Sequence, residues 1–357
     1  MPYENNRIWW AARLLRIAKQ STTSYLDGHG VQSAGVSTNF NVEPIFELGQ
    51  ASPYQLVEDI PNVEITAEKV VDGYPTLYHL STRGAATGTL ISRSNQRCEI
   101  AIPIYAEIQN SASGTPLIEM QASGMFLGSV GYQIPVEGNV TESVTWVGNN
   151  KLWKSGAAII TSGTRLDNTD FPLSYASGTG GVQRRQNVVF DPTVATLDAN
   201  SQVNDTACTI LPPDVAGISS SGTNNRIPGT SNFRCAIQNI SVNVDLNRDA
   251  LYELGHKGAY FRPAGFPVAV NTDIEINAKS GDMVDCLENG TGTGGTNLTN
   301  RTIKVALTEG LFIDCGTKNK LTNITFGGAN AGNGIDTITY SYQTYNDFNV
   351  THPMDPG

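Results

Sequence analysis

FELGQASPYQLVEDIP (Phe46–Pro61) and YELGHKGAYFRPAGFP (Tyr252–Pro267) begin 206 residues apart, at positions 46 and 252 of the same chain. Laid over one another without gaps, they share Glu47/Glu253, Leu48/Leu254, Gly49/Gly255, Tyr54/Tyr260 and Pro61/Pro267. Phe46/Tyr252 and Ile60/Phe266 are apolar or aromatic exchanges. Upstream, Val36, Thr38 and Phe40 meet Val242, Val244 and Leu246, so the period-two alternation of a strand runs in the same phase in both. Downstream the phase slips by one, and Val63 and Ile65 fit Val268 and Val270. Further on, Gly124–Gly131 (GMFLGSVG) resembles Gly310–Gly316 (GLFIDCG), and Ser143–Val147 (SVTWV) resembles Thr337–Ser341 (TITYS). An ordered set of matches of this kind reads as a duplicated unit, two copies doing one geometrical job.

Around this repeat the chain punctuates short apolar runs with Gly, Ser, Asn and Thr, which points to a mainly β protein. Strands are expected over 31–42, 63–70, 97–108, 117–127 and 140–147, and again over 236–248, 301–307, 311–314, 321–326 and 335–345. Between strands, Glu43–Gly49 reads as a short helix with Pro44 in its first turn and Gly49 past its end. Arg248–Gly255 reads the same way, with Asn247 as N-cap and Gly255 as terminator. Arg7–Lys19 reads as an amphipathic helix; its Trp9, Trp10, Arg13 and Arg16 are candidate contacts to a neighbouring subunit. From Ser155 to Ser231 the texture changes to SGTGG and SSSGTNN, a connecting segment or long loops with sparse strands such as QNVVF. The expected organisation is therefore an N-terminal helix and arm (1–30), a first β domain (31–155), the connecting segment (156–231) and a second β domain (232–357).

The chain of 357 residues is long enough for two domains, each with its own core. Its net charge is −10, spread over both halves: 14 acids and 10 bases in 1–155, 19 and 13 in 156–357. Gripping nucleic acid needs phosphate-neutralising Lys and Arg, so this balance argues against it, without excluding nucleic acid passing nearby. Five scattered cysteines with no CxxC suit free thiols in a reducing compartment. RIWWAARLLRIAK interleaves four cations with apolar residues and has no cleavage site, so it is not read as a signal peptide. No apolar run reaches bilayer length, and no membrane association is expected.

Signatures of chemistry are missing. Gly290–Gly295 matches GxGxxG, but a strand-like segment follows where a dinucleotide site needs a helix. Asp245, Asn247 and Asp249 have calcium-loop spacing, yet Ala250 replaces the turn glycine and His256 replaces the twelfth-position Glu. His29, His79, His256 and His352 form no ligand pattern, and there is no nucleophile elbow. Arg184–Arg185 reads as a solvated loop. Neither enzymatic activity, a cofactor nor a metal is expected.

The stretch LNRDALYELGHKGAYFRPAGFPVAV between two strands resembles the core of major tail tube proteins of tailed bacteriophages, and GVSTNFNVEPIFELGQASPYQLVEDIPNVEITAEKV resembles a second, more diverged copy. The resemblance covers about two thirds of the chain, over 36–155 and 236–350. It implies two tandem tail-tube-like domains of packed antiparallel sheets, each with a short side helix. It also implies stacked rings around a lumen through which DNA leaves the capsid without specific binding. Six lobes supplied two per chain imply a homotrimeric ring with pseudo-sixfold symmetry. The implied partners are other tail proteins (tape measure, baseplate, terminator, possibly a sheath), and the implied location is the virion tail, after synthesis in the host cytoplasm. Glu47 and Glu253, at the same point of both copies, are candidates for a repeated ion pair between subunits. A tandem β-sandwich binding module, such as an adhesin or carbohydrate-binding protein, and another tail ring component are the competing readings.

Overall fold

Asn62–Val70 shows how the sequence makes the sheet. It buries Val63, Ile65 and Ala67 and turns Glu64, Thr66 and Glu68 outward, the signature of a strand with one packed face. The computed structural model describes residues 5–156 (apart from 23, 109–111 and 113), 159, 163–164, 181–190, 196–197, 203–204, 237–278 (apart from 257), 300–327, 334–353 and 355. In chain order the elements of the first half are β1 (Arg16–Lys19), β2 (Tyr25–Asp27), β3 (Val31–Asn39), β4 (Val42–Phe46), β5 (Pro53–Glu58), β6 (Asn62–Val70), α1 (Leu77–Ser81), α2 (Leu90–Ser94), β7 (Arg97–Ile104), β8 (Ile118–Pro135), β9 (Thr141–Gly148) and β10 (Leu152–Ser155). Short strands β11 (Gly163–Thr164), β12 (Val188–Phe190), β13 (Thr196–Leu197) and β14 (Val203–Asn204) follow. The second half holds β15 (Ile237–Asp245), β16 (Ala269–Asn277), β17 (Lys304–Leu307), β18 (Phe312–Asp314), β19 (Lys320–Gly327), β20 (Thr337–Tyr345) and β21 (Asn349–Thr351).

One antiparallel sheet runs through both halves in the order β3-β6-β9-β8-β15-β16-β20-β19. The order β3-β6-β9-β8 of the first half is repeated strand for strand by β15-β16-β20-β19. A second layer is repeated as well. In the first half β1-β7-β8-β10 pair through the N-terminal part of β8, and in the second β12-β17-β18-β21 pair. The 18-residue β8 serves both layers, a job that the second half divides between β18 and β19. Even an irregularity recurs: the β8–β9 ladder slips at Gly128 and the β19–β20 ladder at Thr322. The duplication is therefore structural, and the large sheet is its axis.

The core lies between the layers and is continuous across both halves, from Leu15 and Trp146 to Tyr342 and Val350. Helix α1 starts where Glu142, fully buried on β9, accepts the amide hydrogens of Leu77 (2.6 Å) and Tyr78 (3.0 Å) and the Tyr132 hydroxyl (2.9 Å). These bonds answer the unpaired donors of a helix N-terminus.

Several expectations are corrected. Arg7–Lys19 is not a helix but a 3-10 turn (Trp10–Ala12) leading into β1, which pairs with both β2 and β7. Ladder bonds on two sides outweigh a modest helical preference. Glu43–Gly49 and Arg248–Gly255 are not helices either; Val42–Phe46 is a strand, and each ELG is a turn. Segments of seven and eight residues are too short to hold a helix without tertiary support, and Val42, Ile45 and Phe46 favour extended backbone. The side helices α1 and α2 lie instead between β6 and β7; the corresponding stretch of the second half includes 279–299, outside the described residues. Gly310–Gly316 holds β18, whereas Phe126–Gly131, most of the matched segment, lies in the part of β8 that pairs with β9 and whose counterpart is β19, so that apparent match joins non-equivalent strands. Trp146, opposite Ile65, has as its structural counterpart Tyr342, opposite Thr272. The Gly290–Gly295 loop falls outside the described residues.

Trp146 is fully buried and its Nε1 donates to Ser81 Oγ at 2.7 Å, tying the sheet to α1. Trp146→Ala is expected to lower unfolding free energy by about 3–5 kcal/mol, measured by chemical denaturation. A loss below about 1 kcal/mol would mean that this core is not packed as described.

Candidate assembly interface

The surface that stands out is made of backbone. Among the described strands β3 pairs only with β6, and β19 only with β20, so each leaves one row of N–H and C=O groups unpaired. Their counterparts within the chain are not edges. β8 and β15 pair with each other, Val130 opposite Val244, Gly131 opposite Asn243 and Tyr132 opposite Val242. By the repeat, β3 stands for β15 and β19 for β8. The two edges are thus the two sides of a joint that the chain has already made once in its middle. Val36 and Ile324 are half-buried against the common core, each with its outer flank uncovered.

From each copy's first strand springs an arm with the same backbone. Asn39 Oδ1 accepts from Asn41 N (3.2 Å), and Asp245 Oδ1 from Asn247 N (3.0 Å). Asn41 and Asn247 have φ of 35° and 42°, a left-handed corner that Asn tolerates. Asn247 is thus a corner rather than a helix cap, and Asp245 serves that corner rather than a cation. Ile45 pairs with Gln55 on β4–β5, and Leu251 with Phe261 at the matching place. At the tips Gln50 N bonds Glu47 O and His256 N bonds Glu253 O. Gly49 and Gly255, with φ of 95° and 88°, occupy the position of a type II turn that favours glycine. Leu48 and Leu254 beside them are fully exposed, as few leucines are. Glu47, Tyr54, Glu253 and Tyr260 are exposed on the arms, Glu253 3.6 Å from His256, while Pro61 and Pro267 lead back into the sheet. The repeated residues are therefore arm residues, and the structure brings each set together at one arm.

The arms differ in their surroundings. Every residue of β4 and β5 is exposed, including Val42, Ile45, Phe46, Tyr54 and Leu56. The second arm is seated on the first half. Arg248 Nε donates to Leu127 O (2.8 Å), Arg262 donates to Asn149 Oδ1 (2.9–3.0 Å), Asn149 Nδ2 donates to Ala259 O (2.7 Å), and Phe261 meets Phe126 edge-on at 5.4 Å.

The four N-terminal candidates separate. Trp10 and Arg13 are exposed and line a cleft with Leu14, Val31 and Ala34 beside the free β3 edge. At the internal joint a like cleft is lined by Ile134, Val136, Arg185, Val188 and Ile237. Trp9 is half-buried with its ring 6.0 Å from Trp10. Arg16 is buried and paired with Asp27 at 2.7 Å, so it cannot meet a neighbour, contrary to the sequence expectation.

The halves are also joined through buried polar groups. Gln183 N bonds Val71 O and Thr308 Oγ1 bonds Gln183 Oε1. His79 Nε2 lies 3.1 Å from Val350 O, and Arg93 pairs with Asp355. His29 Nδ1 lies 2.5 Å from Asp72, which also accepts from buried Lys69 (2.6 Å). Burial pushes Glu309 up to about 8, only partly offset by Lys69. Burial likewise holds His79 down at about 4 and His352 at about 3. No group of three His, Cys, Asp or Glu among the described residues could hold a metal ion, and described Cys98 and Cys315 are buried free thiols. Arg184, read as solvated, bonds Asn139 Oδ1 at 2.9 Å.

No protein-family model matches the chain, and no curated protein matches it. Solved chains similar to part of it include one from the anti-feeding prophage baseplate (TM-score 0.33, 12% identity, 43% of this chain and 98% of that one). Another is from the sheath–tube complex of the PVC extracellular contractile injection system (0.31, 10%, 42% and 93%). A third is an Hcp protein (0.24, 7%, 40% and 98%).

Neutral in the fold and protonated in the unfolded chain, His79 and His352 contribute stability that is complete above about pH 6.5 and fades as pH falls toward 4. Glu309, protonated in the fold, opposes them: its contribution is complete below about pH 4.5 and fades as pH rises through 8. Glu309→Gln is expected to raise the melting temperature most at pH 8.5 and little at pH 4.5. Equal shifts at both pH values would show that Glu309 is ionised in the fold.

Proposed function

We propose that the chain is a structural ring subunit of a tail-like tube, joining its neighbours by the same edge contact that joins its own halves. The observation that carries this is the complementarity of β3 and β19. Transferring the β8–β15 register to them sets Val36 opposite Phe326, Ser37 opposite Thr325 and Thr38 opposite Ile324 of the next chain. Val36, Thr38, Ile324 and Phe326 then fall on the packed face and Ser37 and Thr325 on the other, the alternation that a register set by burial requires. Such a head-to-tail contact closes into a ring when the rotation permits. Closure removes both open edges, which would otherwise invite aggregation. Two lobes per chain and the six lobes of the tail tube resemblance make the ring a trimer.

The packed face of the large sheet is covered by the second layer and the helices, so its polar face turns toward the lumen. Along the described strands that face carries Glu64, Glu68, Asp245, Asp273 and Glu275 against Lys320 alone, among Ser, Thr, Asn and Gln. A wall of this kind repels phosphates at short range and lets nucleic acid slide. This supports a conduit for a genome over a nucleic-acid-binding site. Trp10 and Arg13, beside β3, are placed to meet the end of the incoming β19, and the exposed Leu48 and Leu254 tips are suited to contacts between stacked rings. Baseplate, terminator and tape-measure proteins are the partners that such a tube would need.

Ser37→Cys and Thr325→Cys in one chain test the edge contact. Mild oxidation is expected to give a ladder of covalent dimers and trimers, the last migrating as closed species. Bonds that form only within a single chain, or ladders continuing to six, would contradict the trimeric ring.

A further inference from the structure

The exposed β4–β5 arm has a missing seat, and the chain contains the pattern for it. The second arm sits on Phe126, Leu127 and Asn149, at the margin of the β8–β15 joint. The repeat carries these seat positions to Lys320, Leu321 and Tyr345, because Phe126 and Leu127 stand opposite Val147 and Trp146 as Lys320 and Leu321 stand opposite Gln343 and Tyr342. It carries the arm positions Arg248, Phe261 and Arg262 to Val42, Gln55 and Leu56. We propose that the β4–β5 arm of each chain seats on Lys320, Leu321 and Tyr345 of the next chain in the ring, reproducing between chains the contact that the second arm makes within one.

The matched pairs change together. Where the internal seat has Arg262 hydrogen-bonded to Asn149, the proposed one has Leu56 and Tyr345, both more than half exposed in the single chain (61% and 55%). Where the internal seat sets Phe261 edge-on against Phe126, the proposed one sets Gln55 beside Lys320. Each pair is polar with polar or apolar with apolar, as two contact surfaces require and two free surfaces do not. Leu246, wholly buried where its N–H bonds Gly128 O (2.9 Å), corresponds to Phe40, which is 60% exposed. Charge agrees as well. Residues 40–61 carry Glu43, Glu47, Glu58 and Asp59 and no Lys or Arg, while the seat begins at Lys318 and Lys320. The seat takes the base of the arm and leaves the Leu48 tip outside it.

This inference rests on the edge-joined ring, and a double-mutant cycle on the full chain separates the two. Ring association is measured by sedimentation for the unaltered chain, Leu56→Arg, Tyr345→Asn and the pair that rebuilds the internal contact. Leu56→Arg is expected to weaken association about tenfold or more, and the added Tyr345→Asn to recover most of that loss. Unfolding of the single chains should be unchanged, since both side chains are exposed there. Rings that form and cross-link through positions 37 and 325, but show no coupling between 56 and 345, would overturn the seat and leave the ring standing. Failure of the unaltered chain to form rings would overturn both.

Discussion

Unpaired backbone at the two margins of one sheet governs the rest of this structure. A peptide group in a strand edge either finds another strand, meets water, or invites aggregation. Here the eight-stranded sheet begins with β3 and ends with β19, and neither is blunted by a proline or covered by another described strand. The internal β8–β15 pair shows which partner such edges accept. In the proposed function, a chain that makes this joint once and leaves both of its sides open makes it again with copies of itself.

The other features serve that sheet. The second layer and helices α1 and α2 cover its apolar face and leave its polar face open. Glu142 starts α1 against the sheet, and Trp146 ties the two together. Arms leave the first strand of each copy at an asparagine corner, so that whatever fixes the strand also fixes the arm. The two copies have diverged where their neighbours differ: one arm has polar anchors to its own chain, and the other is apolar along an uncovered hairpin.

The repeat, the mainly β class and the strands around it were legible because period-two burial leaves a direct trace in sequence. Val63, Ile65, Val242 and Val244 show it plainly. The slip after the arm was legible only as a change of phase: the sequence set Val63 on Val268 and Ile65 on Val270, whereas the ladders set Val63 on Val270 and Ile65 on Thr272, a slip of one residue in the other direction. Local words misled where pairing decides the outcome. ELG after a proline looks like a helix end, yet it is the tip of a hairpin whose ladder partner lies several residues on. RIWWAARLLRIAK has helical composition, but Arg16–Lys19 lies between two strands that no local window contains. Arg16 looked like a surface cation because its partner, Asp27, becomes a neighbour only through the β1–β2 pairing. The free edges, which carry the functional reading, have no residue signature at all; they appear only when strand order is known.

The most direct test of the account is to count chains and lobes in the purified assembly by electron microscopy, reconstructed without imposed symmetry. The account predicts three chains in each ring, six similar lobes, and β19 of one chain beside β3 of the next. A ring of six chains, or chains that meet through any other surface, would contradict it.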